Sequence, residues 1–292
     1  PFAVMLLLVF GFLLLRAQRF QVLLRADAMK VGKPSLDRFA YTMQALWMTL
    51  LLALPWPLLL WTTGWALGAV PDEQQFPRLV SKALLTVAPA FFYVQFYSKL
   101  CISEGVAAKH FRWPDPLPQR LCRHFSFLKI TFLPAVFITI MVIYDEQKAF
   151  HGGLERIVMV VALCLLAVFF YRLIKLLIEQ SIGNLARLRY LWLAFTVVTP
   201  LSLAVLAFSG YFYTAGTLGS SLVQTLWFVF GLVVLHQVVV RWLLLVQRRL
   251  ALKAIRDRMQ ALRKEKTEVD SEMEGMPAQE DEPEIDLVAM SE

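Results

Sequence analysis

The sequence predicts an all-α, polytopic membrane helix bundle of about seven transmembrane helices, followed by a charged cytoplasmic linker. Three observations lead there. The 292 residues are 58% hydrophobic and only 17% charged, with a mean hydropathy of +0.59, whereas a soluble domain of this length needs more charge to cover its surface. Apolar runs near the ~20 residues that cross a bilayer recur along the chain. Residues 263–286, RKEKTEVDSEMEGMPAQEDEPEID, then offer almost nothing that could be buried. The organisation expected is a transmembrane bundle over 1–246 and, over 247–292, a basic helix and an acidic cytoplasmic linker.

Helix one is expected over 1–15, an apolar run that is short for a span. It begins at Pro1 with no methionine, basic n-region or A-x-A site, so the reading is a clipped first helix in a piece of a longer protein. RAQRFQVLLRADAMKVGKPSLDR follows as a basic loop. Helix two covers Phe39–Thr62, where LPWPLL places Pro55 and Pro57 inside the span. They must kink or break it, and the freed carbonyls call for packing against neighbours instead of lipid. Helix three covers Leu79–Tyr97. The long joint SKLCISEGVAAKHFRWPDPLPQRLCRHFSFLK has Pro114, Pro116 and Pro118 as a stiff extended turn between basic, amphipathic flanks. Helix four covers Ile130–Tyr144, helix five Leu154–Leu177, helix six Tyr190–Ser209 and helix seven Leu222–Val246. GYFYTAGTLGSS, without charge, reads as the outer hairpin between the last two.

Orientation follows from the 29 Lys and Arg residues. With the joints after helices one, three, five and seven in the cytoplasm, all of them lie on that side except Arg78, Lys82, Lys148 and Arg156. The positive-inside rule therefore starts the chain outside and ends it in the cytoplasm. The same pattern explains the net charge of +7 and excludes a nucleic-acid partner. Beyond helix seven, RRLALKAIRDRMQALRKEK carries Leu250, Ile255, Met259 and Leu262 at helical spacing, as a continued or interfacial helix on anionic headgroups. The acidic block after it is linker by composition, and the apolar residues of IDLVAMSE point to folded chain downstream. Basic residues beside the spans, Arg16, Arg19, Arg112, Arg187, Arg189, Arg248, Arg249 and Arg256, are the expected lipid-headgroup contacts.

Candidate chemistry is sparse. Cys101, His110, Cys122 and His124 share the long joint, but C-x8-H-x11-C-x-H matches no zinc pattern of close pairs, so packing is the preferred reading and no metal is assigned. Three cysteines without close spacing imply no disulfide framework. His236, Gln237 and Arg241 in helix seven invite a proton path or a substrate counter-ion. An inter-helix hydrogen bond and a snorkelling arginine explain them as well, and no deep Asp or Glu supports cation coupling. Lys82, Arg172 and Lys175 read as snorkelling anchors. Trp56, Trp61, Trp65, Trp192 and Trp227, with Tyr97, Tyr144 and Tyr190, read as aromatic belts. Nucleophile elbow, Walker, HExxH and dinucleotide motifs are absent, so no catalytic residue, cofactor or enzymatic activity is assigned.

Five strings in order, LLLALPWPLLLW (50–61), KHFRWP (109–114), SGYFYTAGTL (209–218), RRLALKAIRDR (248–258) and IDLVAMSE (285–292), resemble the large MscK and MscM type of the small-conductance mechanosensitive (MscS) channel superfamily. The resemblance implies a homoheptameric channel of the bacterial inner membrane that opens under tension and releases solutes during osmotic downshock. This chain would be its auxiliary helix bundle, coupling tension and lipid to a pore outside these residues. No pore residue is therefore assigned here. The implied partners are membrane lipids, transported ions and further copies of the chain. The alternatives are a small-molecule transporter, tested by substrate uptake, or the membrane region of a signalling receptor.

Overall fold

The computed structural model describes residues 2–30, 38–69, 75–144, 153–179 and 189–274, and among these no strand occurs. The chain divides into two units, Pro1–Trp242 and Leu243–Glu292. Ten α-helices are present among the described residues, beginning with α1 (Phe2–Lys30), α2 (Phe39–Ala53), α3 (Pro55–Gly68) and α4 (Gln75–Leu100). The short α5 (Val106–Lys109) and α6 (Leu117–Phe127) come next. A π-helical turn, Leu128–Phe132, leads into α7 (Leu133–Ile143), before α8 (Leu154–Glu179), α9 (Arg189–Phe208) and α10 (Phe212–Glu274). The joints at 145–152 and 180–188, and the acidic block from 275 onward, lie outside the described residues.

Met5–Met29, Gln75–Leu100, Leu117–Ile143, Leu154–Glu179 and Phe212–Arg263 are each long and apolar enough to cross a membrane, and α2 with α3 forms a sixth, bent by 43°. The count expected from sequence is about seven. The seventh corresponds to α9, Arg189–Phe208, whose side chains before Ala194 lie outside the described residues. The fold class stands: a helical polytopic membrane bundle.

Several boundaries move, each for a local reason. The basic stretch after Leu15 continues α1, because residues 16–30 contain no Gly or Pro and are rich in good helix formers. Span two breaks at Leu54, where Pro55 starts a new helix, and both Pro55 and Pro57 are buried against neighbours. Span four begins at Leu117, well before Ile130, because no breaker separates the amphipathic flank from the apolar run. The uncharged string after Gly210 is helical. Only residues 209–211 turn, with Gly210 at φ +101° and Tyr211 N–H donating to the Leu206 carbonyl at 3.1 Å.

Close helix approach depends on small residues. A Cβ at Gly64 would sit 3.0 Å from Leu84 Cβ, and one at Gly68 would sit 2.8 Å from Ser81 Oγ. With no side chain there, α3 lies against α4 and Ser81 Oγ donates to the Gly64 carbonyl at 2.6 Å. At the α8–α9 contact Met159, Leu163, Leu203, Ala204 and Ala207 bury together with Ala215 of α10. The larger core is aromatic. Tyr97 stacks on Phe125 (centroids 5.6 Å) and meets Phe230 at 5.2 Å, while Tyr93 stacks on Trp227 at 5.2 Å. Tyr97 and Trp227 are therefore core residues and not belt residues, whereas Trp56, Trp61, Trp65 and Tyr144 are exposed. Tyr190 and Trp192 lie among side chains outside the described set.

Candidate functional site

One group of polar side chains in the first unit lies between the C-terminal part of α4 and the segment formed by α6 and the π-helical turn. Gln95 and Ser98, three residues apart, share one face of α4, and both are buried. Lys129, in the π-helical turn, donates from Nζ to Gln95 Oε1 at 3.1 Å and to Ser98 Oγ at 3.2 Å. Cys122, seven residues before Lys129, lies on the same side, with its Sγ 3.6 Å from the Ser98 carbonyl. Among the described residues no carboxylate pairs with Lys129; its partners are neutral. An ionisable group inside a span needs such partners, because burying it bare is costly.

The long joint folds into this region instead of lying open. A Cβ at Gly105 would sit 2.7 Å from the Leu100 carbonyl, so the chain turns tightly there and returns Val106, Ala107, His110 and Phe111 to the core. His110 Nδ1 lies 3.2 Å from Thr42 Oγ1 of α2, with both side chains buried. Cys101 is buried as well, and burial first, then neighbouring Cys122, pushes its thiol up to about 12. Cys101 and His110 thus pack in the core and Cys122 lies against α4, and among the described residues no three metal-ligating side chains converge. Exposed ion pairs close the region's rim, Arg25 with Glu104 and Arg120 with Glu179 at 3.1 Å. Solvent screening holds each below about 1 kcal/mol.

A cavity of about 370 Å³ lies between α4, α7, α8 and the first turns of α10. Its wall is mostly apolar, with Pro89, Phe132, Ile140, Leu163, Leu166 and Val223 among the lining residues and Thr86, Thr139, Ser220 and Gln224 as the polar minority. Room for it exists because α10 brings Ala215, Gly216 and Gly219 to that side. The lining suits a hydrocarbon chain; an ion or a polar solute would lose its hydration with little in return.

Of the expected headgroup contacts, Arg16, Arg19, Arg112, Arg248, Arg249 and Arg256 are exposed. Arg16 lies over the Phe12 ring at 5.3 Å, and Arg112 holds a left-handed backbone at φ 54°. Arg187 lies outside the described residues, and Arg189 belongs to α9 with its side chain outside them. Lys82 sits over the Tyr144 ring at 4.8 Å and Arg172 over Phe127 at 4.6 Å, so these two anchors have an aromatic partner, while Lys175 is exposed. His236 is exposed and Gln237 half-buried, while Arg241 is buried and not at a snorkelling surface. Gln237 and Arg241, four residues apart, share one face of α10, and His236 lies off it. Lys129 lies one residue before the span that the sequence suggests from Ile130, so it reads there as part of the joint. The unbroken run from Leu117 to Leu133 was the available signal.

The family described as mechanosensitive ion channel inner membrane domain 1 matches residues 1–292. The chain is similar to the miniconductance mechanosensitive channel MscM of Escherichia coli (strain K12), with 26% identity over 284 residues. That match covers 93% of this chain and 25% of the relative, so the chain spans about a quarter of that protein's length. No solved structure matches.

Proposed function

Given that the chain belongs to the mechanosensitive ion channel inner membrane domain 1 family, we propose that it is the lipid-coupling helix bundle of an ion channel that opens under membrane tension. The whole-length family match carries this reading. The pore lies outside residues 1–292, and the complete protein works as a homoheptamer in a bacterial inner membrane, releasing solutes on osmotic downshock. Its C-terminal tail is cytoplasmic.

The bundle's physical character supports the role. Tension favours whichever conformation occupies more membrane area, so a subunit with a large lipid-facing perimeter can convert tension into a shifted equilibrium without a ligand. Exposed apolar side chains run along α1, α8, α9 and the first unit's part of α10, including Leu8, Leu15, Val161, Val198, Phe208 and Phe228. The bent α2–α3 span and the apolar cavity are places where bilayer thickness and lipid tails act on packing. Arg16, Arg19, Arg112, Arg187, Arg189, Arg248, Arg249 and Arg256 add headgroup contacts on the cytoplasmic face.

Patch recording on reconstituted protein tests the reading. The complete protein is expected to give tension-gated currents and residues 1–292 alone to give none. Currents from the segment would place a pore within the bundle. Silence from the complete protein would remove the channel assignment.

A further inference from the structure

Residues Leu117–Ile143 form one span with a wide turn, Leu128–Phe132, in its middle. Pro134 accounts for that turn. It has no N–H, and its ring would meet the carbonyl of Ile130 in a regular α-helix. Widening the turn below it relieves the clash, and the Thr131 hydroxyl donates to the Phe127 carbonyl at 2.7 Å. A π turn holds one residue more than an α turn, so everything before it is rotated by about 100° relative to an uninterrupted helix. In the observed register that rotation presents Cys122 and Lys129 to α4.

We propose that Lys129, Gln95 and Ser98 form a latch that holds this span in its wide-turn register against α4. Releasing it lets α6 turn about its own axis relative to α7, so the span is a two-position element. The wide turn is a rare backbone form; Pro134 favours it but does not fix it in place, since a helix also accommodates a proline by kinking. The ammonium's two hydrogen bonds exist only in the observed register, and an ammonium in a span has strong reason to keep its partners. Rotation of α6 together with the first residues of the turn carries both Lys129 and Cys122 off the α4 face. This inference concerns the span itself and does not rest on the channel reading.

Cys122 is a native reporter of that rotation. Its alkylation rate is measured by site-resolved mass spectrometry on the complete protein in membranes, in wild type, Lys129→Met and Pro134→Ala. Both substitutions are expected to raise the rate about tenfold, as loss of charge-assisted hydrogen bonds or of the wide turn frees α6. Pro134→Ala keeps the ammonium, so a rise in both variants reports motion and not charge. Cys101 serves as the fold control and stays slow while the bundle is intact. If Lys129→Met also exposes Cys101, Gln95→Leu, which keeps the cation and removes one acceptor, takes its place with the same expectation. An unchanged Cys122 rate in the folded variants overturns the latch.

Discussion

Cys101 shows how placement alone sets a side chain's chemistry. It follows α4 directly, is 1% exposed, and has its thiol pushed up to about 12, by burial first and by Cys122 second. A raised thiol pKa leaves the group protonated through neutral pH, and the thiolate is the reactive form. Alkylation of the native protein at neutral pH is therefore expected to modify Cys122 and Cys164, both half-buried, well before Cys101, with Cys101 reacting only on denaturation. Early labelling of Cys101 in folded protein would contradict its burial. At this scale the sequence was partly legible. The spacing of the Cys and His residues in the long joint favours packing, and Cys101 and His110 are buried in the core. Tyr97 and Trp227 were misplaced, since an aromatic residue near a span end looks alike whether it meets headgroups or a stacked ring from another helix.

Helices were legible where the signal is local. Pro-Trp-Pro inside an apolar run marks a break whatever surrounds it, and the break lies at Leu54 with a 43° bend. Helix continuity was harder to read. Charge from Arg16 onward suggests that α1 ends there, although Arg, Gln and Ala propagate a helix as readily as Leu does. The wide turn at Leu128–Phe132 was invisible, because it answers a proline two residues further on and the packing of α4 together. The basic end of α10 tests whether composition alone predicts behaviour. In the second unit Leu250, Leu252, Ile255, Met259 and Leu262 are exposed on a helix that also carries Arg249, Arg256 and Arg258. A peptide of residues 247–266 is expected to bind anionic vesicles as a helix. Changing those three arginines to Gln should weaken binding by roughly a hundredfold at low salt, taking about 1 kcal/mol per charge near the surface. Circular dichroism with vesicle titration reads both effects. Affinity indifferent to salt and to the substitutions would remove the headgroup role.

At the scale of the whole molecule, class and family were readable because both are spread along the chain. Hydropathy marks a polytopic bundle wherever it is sampled, and five ordered strings pointed to the family that matches all 292 residues. The apolar cavity was not readable. It is bounded by Pro89, Phe132, Leu163 and Gly219, residues of four helices that share no sequence pattern. The central claim is that this bundle sets how tension reaches a pore it does not itself contain. Its most direct test is the tension midpoint of single channels formed by the complete protein, compared with the same protein lacking residues 1–246. The account predicts a shifted midpoint with unchanged unitary conductance. An unchanged midpoint, or a conductance altered by the deletion, would contradict it.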